Sequence, residues 1–316
     1  LKELKKLRKL MLPTRARLNT SQLKLLAALP QLERVSFTVA EPAHPRLAVV
    51  ASQTRWKELN LSGVHLTNRK MAYLKGLVNL ETLVLGREGV LSDRGLAPLK
   101  GMTALRTLII PSYRGDAGLD NLRDLPHLKI FEFHGEHATD RALGVVGTLH
   151  ELERLRLDGN RFTDAGMSSL RALSKLLELS LIDTNISDRG LDAIAEIKEI
   201  EYIDLSGTRV TDAGLMKFQG LEELRGLRLN HTAVTGTGFR MLTSLPRLHR
   251  LELAGAKVDD AGAGVIAQVA TLRYLDLSRT AITAAGVGSL KQLRLLDELH
   301  LAGCDKLNDS AAEAIK

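Results

Sequence analysis

Cysteine is almost missing from this chain, which has one, Cys304, in 316 residues. No internal disulfide can form, so the fold is not a disulfide-stapled extracellular one, and a cytoplasmic or other reducing location is expected, reached by delivery if not by synthesis. Aromatic residues are scarce too, 3% against 44% hydrophobic residues in all, so the core has to be built from stacked aliphatic side chains. No uninterrupted apolar stretch approaches the roughly 18 residues of a membrane span, and none is expected to cross one. Gly-rich phosphate loops, nucleophile elbows and Cys-x-x-Cys pairs are all lacking. No frame for nucleotide, acyl-transfer or thiol chemistry is therefore recognisable, and no cofactor is implied. A secretory leader is not visible either. The tripeptides at Asn19, Asn60, Asn185, Asn230 and Asn308 match the glycosylation sequon, but the polar consensus of the chain accounts for them.

What the chain does have is a period. Its clearest copy is Ile200-x-x-Ile203-x-Leu205-x-x-Thr208-x-Val210-Thr211-Asp212-Ala213-Gly214-Leu215-x-x-Phe218-x-x-Leu221, and the opening apolar position returns every 23 to 25 residues from Leu7 to Leu296. That makes thirteen turns and leaves no stretch long enough for a second domain, so residues 1–316 read as a single repeat domain.

Each turn carries two hydrophobic periods. Alternation in Leu176-x-x-Leu179-x-Leu181 suits a short strand with one face inward, whereas Leu215, Phe218 and Leu221 step by three, as on a short helix. One strand and one helix cannot enclose their own apolar faces, so each turn must lean on the next. Ser92, Thr139, Thr163, Ser187 and Thr211 sit where an N-cap would accept from a helix amide, and the aspartates after them, Asp93, Asp140, Asp164, Asp188 and Asp212, suit the positive end of a helix dipole. Gly166, Gly190 and Gly214 follow inside the helices, where glycine costs about 1 kcal/mol against alanine. Close packing between neighbouring turns is the expected compensation.

On these residues the chain resembles the leucine-rich repeat family. Its strand half matches L-x-x-L-x-L in nearly every turn, and the T-D-x-G-L half resembles the cysteine-containing subtype of F-box proteins and related bacterial repeats. Cys304 stands at the cysteine position of that subtype, where most other turns have a residue such as Thr184, Thr208, Thr232 or Thr280. The resemblance implies an α/β fold, a right-handed horseshoe solenoid with a parallel β-sheet on the concave face and short helices on the convex face. It also implies a non-enzymatic module that binds a protein or peptide on the concave face. The alternative is the substrate-recognition part of a larger enzyme, a ubiquitin ligase, a kinase or a bacterial effector, whose catalytic domain lies outside these residues.

Charge is concentrated at one end. Residues 1–30 hold Lys2, Lys5, Lys6, Arg8, Lys9, Arg15, Arg17 and Lys24 against Glu3 alone, a net +7 that equals the net charge of the whole chain. A nucleic-acid binder would spread such charge along the solenoid. The basic end is read instead as a solvated cap or a dock for an acidic partner; nucleic acid is not an expected partner, and the protein is expected to be a monomer. Glu132, His134, Glu136 and His137 form the nearest thing to a metal cluster, and solvated surface residues explain them better, so no metal site is assigned.

Residues between the strand leucines point to the concave face, and two features break their monotony. Val84, Ile109 and Ile130 place apolar side chains on three successive turns, with Tyr113 nearby, and these same turns depart from the consensus after the strand, at Gly86–Gly89, Pro111–Arg114 and His134–His137. This cluster is expected to be the anchor of the binding site, with Arg87, Glu132, His134, Arg154 and Arg156 as its polar rim. The later turns offer Tyr202, Arg228 and Tyr274 in a regular frame.

Overall fold

The computed structural model describes residues 4–12, 20–36, 44–87, 89, 91–135 and 137–307. It resolves into two compact units, Leu1–Leu157 and Asp158–Lys316. In the first, the strands Lys9–Met11, Arg34–Ser36, Glu58–Asn60, Thr82–Val84, Thr107–Tyr113, Ile130–Gly135 and Arg154–Arg156 pair in parallel and in chain order. In the second, Glu178–Ser180, Tyr202–Asp204, Gly226–Arg228, Arg250–Glu252, Tyr274–Asp276 and Glu298–His300 do the same. The chain is thus an α/β leucine-rich solenoid in which every turn opens on the predicted strand.

Most of the strands are three residues long and bury the middle one, while Thr107–Tyr113 and Ile130–Gly135 are longer and bury more. Ile203 is buried while Tyr202 and Asp204 point away from the core, and Ile200, Leu205, Val210, Leu215, Phe218 and Leu221 close the rest of that turn against its neighbours. Each such aliphatic side chain contributes about 1.5–3 kcal/mol on burial. The helical half is equally brief, an α-turn Asp212–Leu215 running into a 3-10 segment Met216–Gly220. A helix this short does not form alone in water, so packing of its apolar side holds it. The buried threonines of the cysteine column have a common task. Thr184, Thr208, Thr232 and Thr280 each donate to the carbonyl three residues back at 2.6–2.7 Å, and the buried Cys304 donates its thiol to Leu277 O at 3.1 Å.

The aspartates do more than face a helix dipole. Asp188 accepts from the amide of Thr211 at 2.8 Å and from its hydroxyl at 2.6 Å, one turn later. Asp260 binds Thr283 in the same two ways, both at 2.7 Å, and Asp164 binds the Ser187 amide at 2.7 Å, its hydroxyl at 2.5 Å and the Gly190 amide at 3.0 Å. Each carboxylate staples its turn to the next. The N-cap expectation holds at Thr163 and Thr211, which accept from Ala165 and Ala213, but Ser92 and Thr139 make no such bond. Close packing at the glycines is also present, since a Cβ at Gly190 or Gly214 would fall 2.7 or 2.3 Å from the Asp164 or Asp188 carboxylate.

This chemistry gives stability an acid limit. Burial pushes Asp260 up, but the Thr283 amide and hydroxyl, the Gly286 amide and Lys306 outweigh it and hold the carboxyl below its ordinary 3.8. Burial likewise opposes, without prevailing, the Tyr113 hydroxyl, two amides and Arg141 that hold Asp93 down. Carboxylates held low in the folded chain contribute stability that is present above the unfolded pKa and disappears as pH falls through the folded one. Denaturant midpoints are therefore expected to be level from neutral pH to about 5 and to fall below about 4; a midpoint still level at pH 3 would refute the staple argument.

Candidate binding face of the strands

The predicted anchor lies in the first unit. Val84 stands directly opposite Ile109, which stands opposite Glu132, while Ile130 pairs with Thr107 and so lies diagonal to Ile109. All three apolar side chains are partly exposed, on the face of the sheet opposite the buried Leu83, Leu108 and Phe131. Around them Glu132, His134 and Arg154 are partly exposed and Arg87 and Arg156 exposed, with Arg154 opposite Ile130 and Arg156 opposite Glu132. Glu136, of the candidate metal cluster, lies outside the described residues. Among the described residues no group of three or more His, Cys, Asp or Glu side chains comes together as a metal site. Of the basic end, Lys5, Lys6, Arg8, Lys9 and Lys24 are exposed, whereas Lys2, Arg15 and Arg17 lie outside the described residues.

Tyr113 does not belong to this surface. It is 2% exposed, its ring meets Phe133 edge-on at 5.4 Å between centroids, and its hydroxyl donates to Asp93 Oδ1 at 2.5 Å while accepting from the Gly118 amide at 3.1 Å. The reason is a substitution within the repeat. Gly115 stands one residue before Asp116, the place Thr211 holds before Asp212, so this turn has no hydroxyl to bind the preceding aspartate, and the Tyr113 phenol reaches in to replace it. The strand Thr107–Tyr113 is lengthened, with a register shift between Ile110 and Tyr113, to bring the ring inside. Burial, followed by the Asp93 hydrogen bond and charge, pushes the phenol far above its ordinary 10.0. The departure from consensus at Pro111–Arg114 therefore repacks the core.

Tyr202, Arg228 and Tyr274 face outward in the second unit, as expected, and Glu252 ties Arg228 to Arg250, the residue that covers Tyr274. Glu252 Oε1 accepts from Arg228 Nε at 2.9 Å and from Arg250 Nε at 2.8 Å, and Asn230 Nδ2 lies 3.4 Å from Oε2. Burial pushes Glu252 up, but Arg228, Arg250 and Asn230 together hold it below its ordinary 4.5. Arg228 also lies 3.5 Å from Asp204, Arg250 sits 3.7 Å over the centroid of the Tyr274 ring, and that ring is 5.1 Å from His300. Glu252, Arg250 and His300 were not singled out from the sequence; the 24-residue spacing aligns Glu252 and His300 in one row with Asp204, Arg228 and Asp276, and Arg250 in the row beside it with Tyr202, Gly226, Tyr274 and Glu298.

The leucine-rich repeat family matches this chain at residues 150–210 and again at 270–291. An internalin (inlF) of Listeria monocytogenes superposes on 95% of this chain and 88% of its own with a TM-score of 0.74 at 19% identity. The chain has the leucine-rich repeat fold. A leucine-rich repeat protein of Leptospira interrogans aligns over 99% of this chain and 88% of its own, with a TM-score of 0.60 and 18% identity. At such identities the likeness is one of fold. A comparison with curated protein sequences finds no match. Leucine-rich repeat domains are in general protein-recognition modules rather than enzymes, and among the described residues no helix is long and apolar enough to cross a membrane.

Proposed function

We propose that this leucine-rich repeat protein is a non-enzymatic recognition module whose strand face binds a protein or peptide, anchored in the first unit by Val84, Ile109 and Ile130. The observation that carries this reading is the Val84–Ile109 pair. Two aliphatic side chains meet directly across the ladder on the sheet face away from the helices, with Ile130 diagonal to them and charged Glu132, Arg154 and Arg156 around them. Apolar anchors inside a polar rim are the usual composition of an interaction hot spot. Arg87 and His134 complete the rim. The period of 23 to 25 residues from Leu7 to Leu296 supports treating all 316 residues as one such module, and the single buried cysteine supports a reducing compartment.

Ile109→Asp tests the reading. Leu108 and Ile110 on either side are fully buried and hold the strand, so the melting temperature is expected to change little while affinity for the partner falls at least about tenfold, roughly 1.4 kcal/mol. The partner is identified first, by a photo-reactive residue at position 109 in cells of the source organism, with one at Arg94 on the helical side as control. Equal cross-links from both positions, or a partner bound as tightly by the Ile109→Asp protein, would remove the site from this face.

A further inference from the structure

Two strands of the second unit carry the same frame, Tyr202-Ile203-Asp204 and Tyr274-Leu275-Asp276. They differ in what covers the ring. Arg250, directly opposite Tyr274 on the preceding strand, lays its guanidinium 3.7 Å from the ring centroid, while Glu252 holds the same guanidinium through two nitrogens at 2.8 Å. At Tyr274 the ring of this frame carries a planar cation, and the carboxylate that holds the cation there is Glu252 of the preceding strand, while the frame's own Asp276 accepts from the Ser278 amide at 2.8 Å.

Tyr202 lacks that cover. Its ladder partners are Glu178 on the preceding strand and Gly226 on the following one, and among the described residues no cation lies over its ring. Gly226 has no side chain, and the ring takes the room this leaves. A Cβ at Gly226 would sit 2.7 Å from Tyr202 Cδ1 and 3.1 Å from Cε1, so the ring lies across the neighbouring strand, with the residue 38% exposed. Asp204, two residues on, turns its carboxylate to the same surface and shares it with the Ser206 amide at 3.0 Å and Arg228 at 3.5 Å. Along the outward positions of the six strands, five carboxylates stand against two arginines, a net −3 with His300 neutral. Burial, then Glu252, Asp276 and Glu298 acting against the pull of Arg250, push the Tyr274 phenol up, as a negative field would.

We propose that the strand face of the second unit binds an arginine-containing basic peptide, with Tyr202 stacking a guest guanidinium as Tyr274 stacks Arg250. The charge of the face selects a cation, and the exposed ring selects a planar one over the compact, strongly hydrated ammonium of lysine. This subsite is separate from the apolar anchor of the first unit and stands whether or not that anchor binds anything.

Fluorescence anisotropy at physiological salt tests it with three labelled probes of one length, a tri-arginine peptide, its citrulline counterpart and its tri-lysine counterpart. The tri-arginine probe is expected to bind the whole chain about tenfold more tightly than citrulline, which keeps the shape and lacks the charge, and more tightly than tri-lysine. Tyr202→Ala should weaken the tri-arginine complex about fivefold or more, whereas Tyr202→Phe, which keeps the ring face, should leave it unchanged. Ile109→Asp should have no effect, which keeps a failure here distinct from a failure of the first-unit site. If Tyr202→Ala binds like the unmodified protein while salt alone abolishes the complex, the attraction is diffuse charge and the subsite is refuted. Equal affinity for the arginine and citrulline probes refutes it as well, as does Tyr202-dependent binding of a neutral oligosaccharide with none of the arginine probe.

Discussion

Gly262→Ala is expected to lower the stability of the second unit by about 2–4 kcal/mol, although alanine is the better helix former by about 1 kcal/mol. Gly262 lies inside the helix Asp260–Ile266, and its amide donates the cap bond to Asp259 Oδ1 at 3.0 Å. A Cβ there would fall 1.9 Å from the Thr235 carbonyl oxygen and 3.2 Å from Val258 Cγ1. The first contact is with backbone, so no rotamer change relieves it, and the turn that would have to move is itself tied down. Gly236, next to Thr235, is in the left-handed region at φ +98, and Asp212 holds the amides of Thr235, Gly236 and Gly238 at 2.8, 3.1 and 2.8 Å. Either the helix retreats and the staple stretches, or the staple breaks. Gly264, two residues along the same helix, has nothing within 4 Å of its Cβ position. Gly264→Ala should therefore follow propensity alone and raise stability by about 0.5–1 kcal/mol. Urea denaturation of the two variants decides the matter, and a change of the same sign in both would show that propensity, not the approach of neighbouring turns, governs these glycines.

That contrast marks the boundary of what the sequence makes legible. Strands, helices and their order follow from hydrophobic periods, because a residue such as Ile203 or Phe218 has one way of being buried when the pattern repeats thirteen times. The glycines in the helices were visible as a cost, and which of them the packing needs was not, because this depends on a carbonyl 27 residues away in the preceding turn. The aspartates show the same limit. Asp188 or Asp212 beside a helix start invites a dipole argument, which is local, whereas their bonds run to the next turn, about 24 residues on. At the candidate site the outward alternation of Val84, Ile109 and Ile130 was readable from the strand alone. The Arg228–Glu252–Arg250 cluster was not read from the sequence, since its members are drawn from two strands and nothing in either strand alone names Glu252 as the shared acceptor.

Tyr113→Ala is expected to cost the first unit about 3–5 kcal/mol, and Tyr113→Phe about 1–2 kcal/mol, neither with any loss at the strand-face site. The alanine variant leaves a cavity beside Phe133, which is itself packed on Phe131 at 5.9 Å between centroids, so the hole opens in an aromatic cluster of a largely aliphatic core. The phenylalanine variant keeps that packing and removes one hydroxyl. Asp93 then retains the amides of Asp116 and Gly118, at 3.1 and 2.8 Å, and loses the charge-assisted bond that replaces the threonine of other turns. Placing the missing threonine back should separate the two roles. Gly115→Thr in the Tyr113→Phe background puts a hydroxyl at the repeat position and would restore part of the loss if the phenol serves as the staple. A Cβ at Gly115 would lie 2.3 Å from Asp93 Oδ1 in either background, the carboxylate that the new hydroxyl would bind, and 2.7 Å from the Tyr113 hydroxyl only beside the intact tyrosine, where the same substitution should therefore destabilise. Opposite signs for Gly115→Thr in the two backgrounds, measured by denaturant midpoint, would establish the exchange of phenol for threonine. The same sign in both would mean that the lengthened strand Thr107–Tyr113 needs another explanation, and a Tyr113→Phe protein that loses its partner would return Tyr113 to the binding surface from which its burial excludes it.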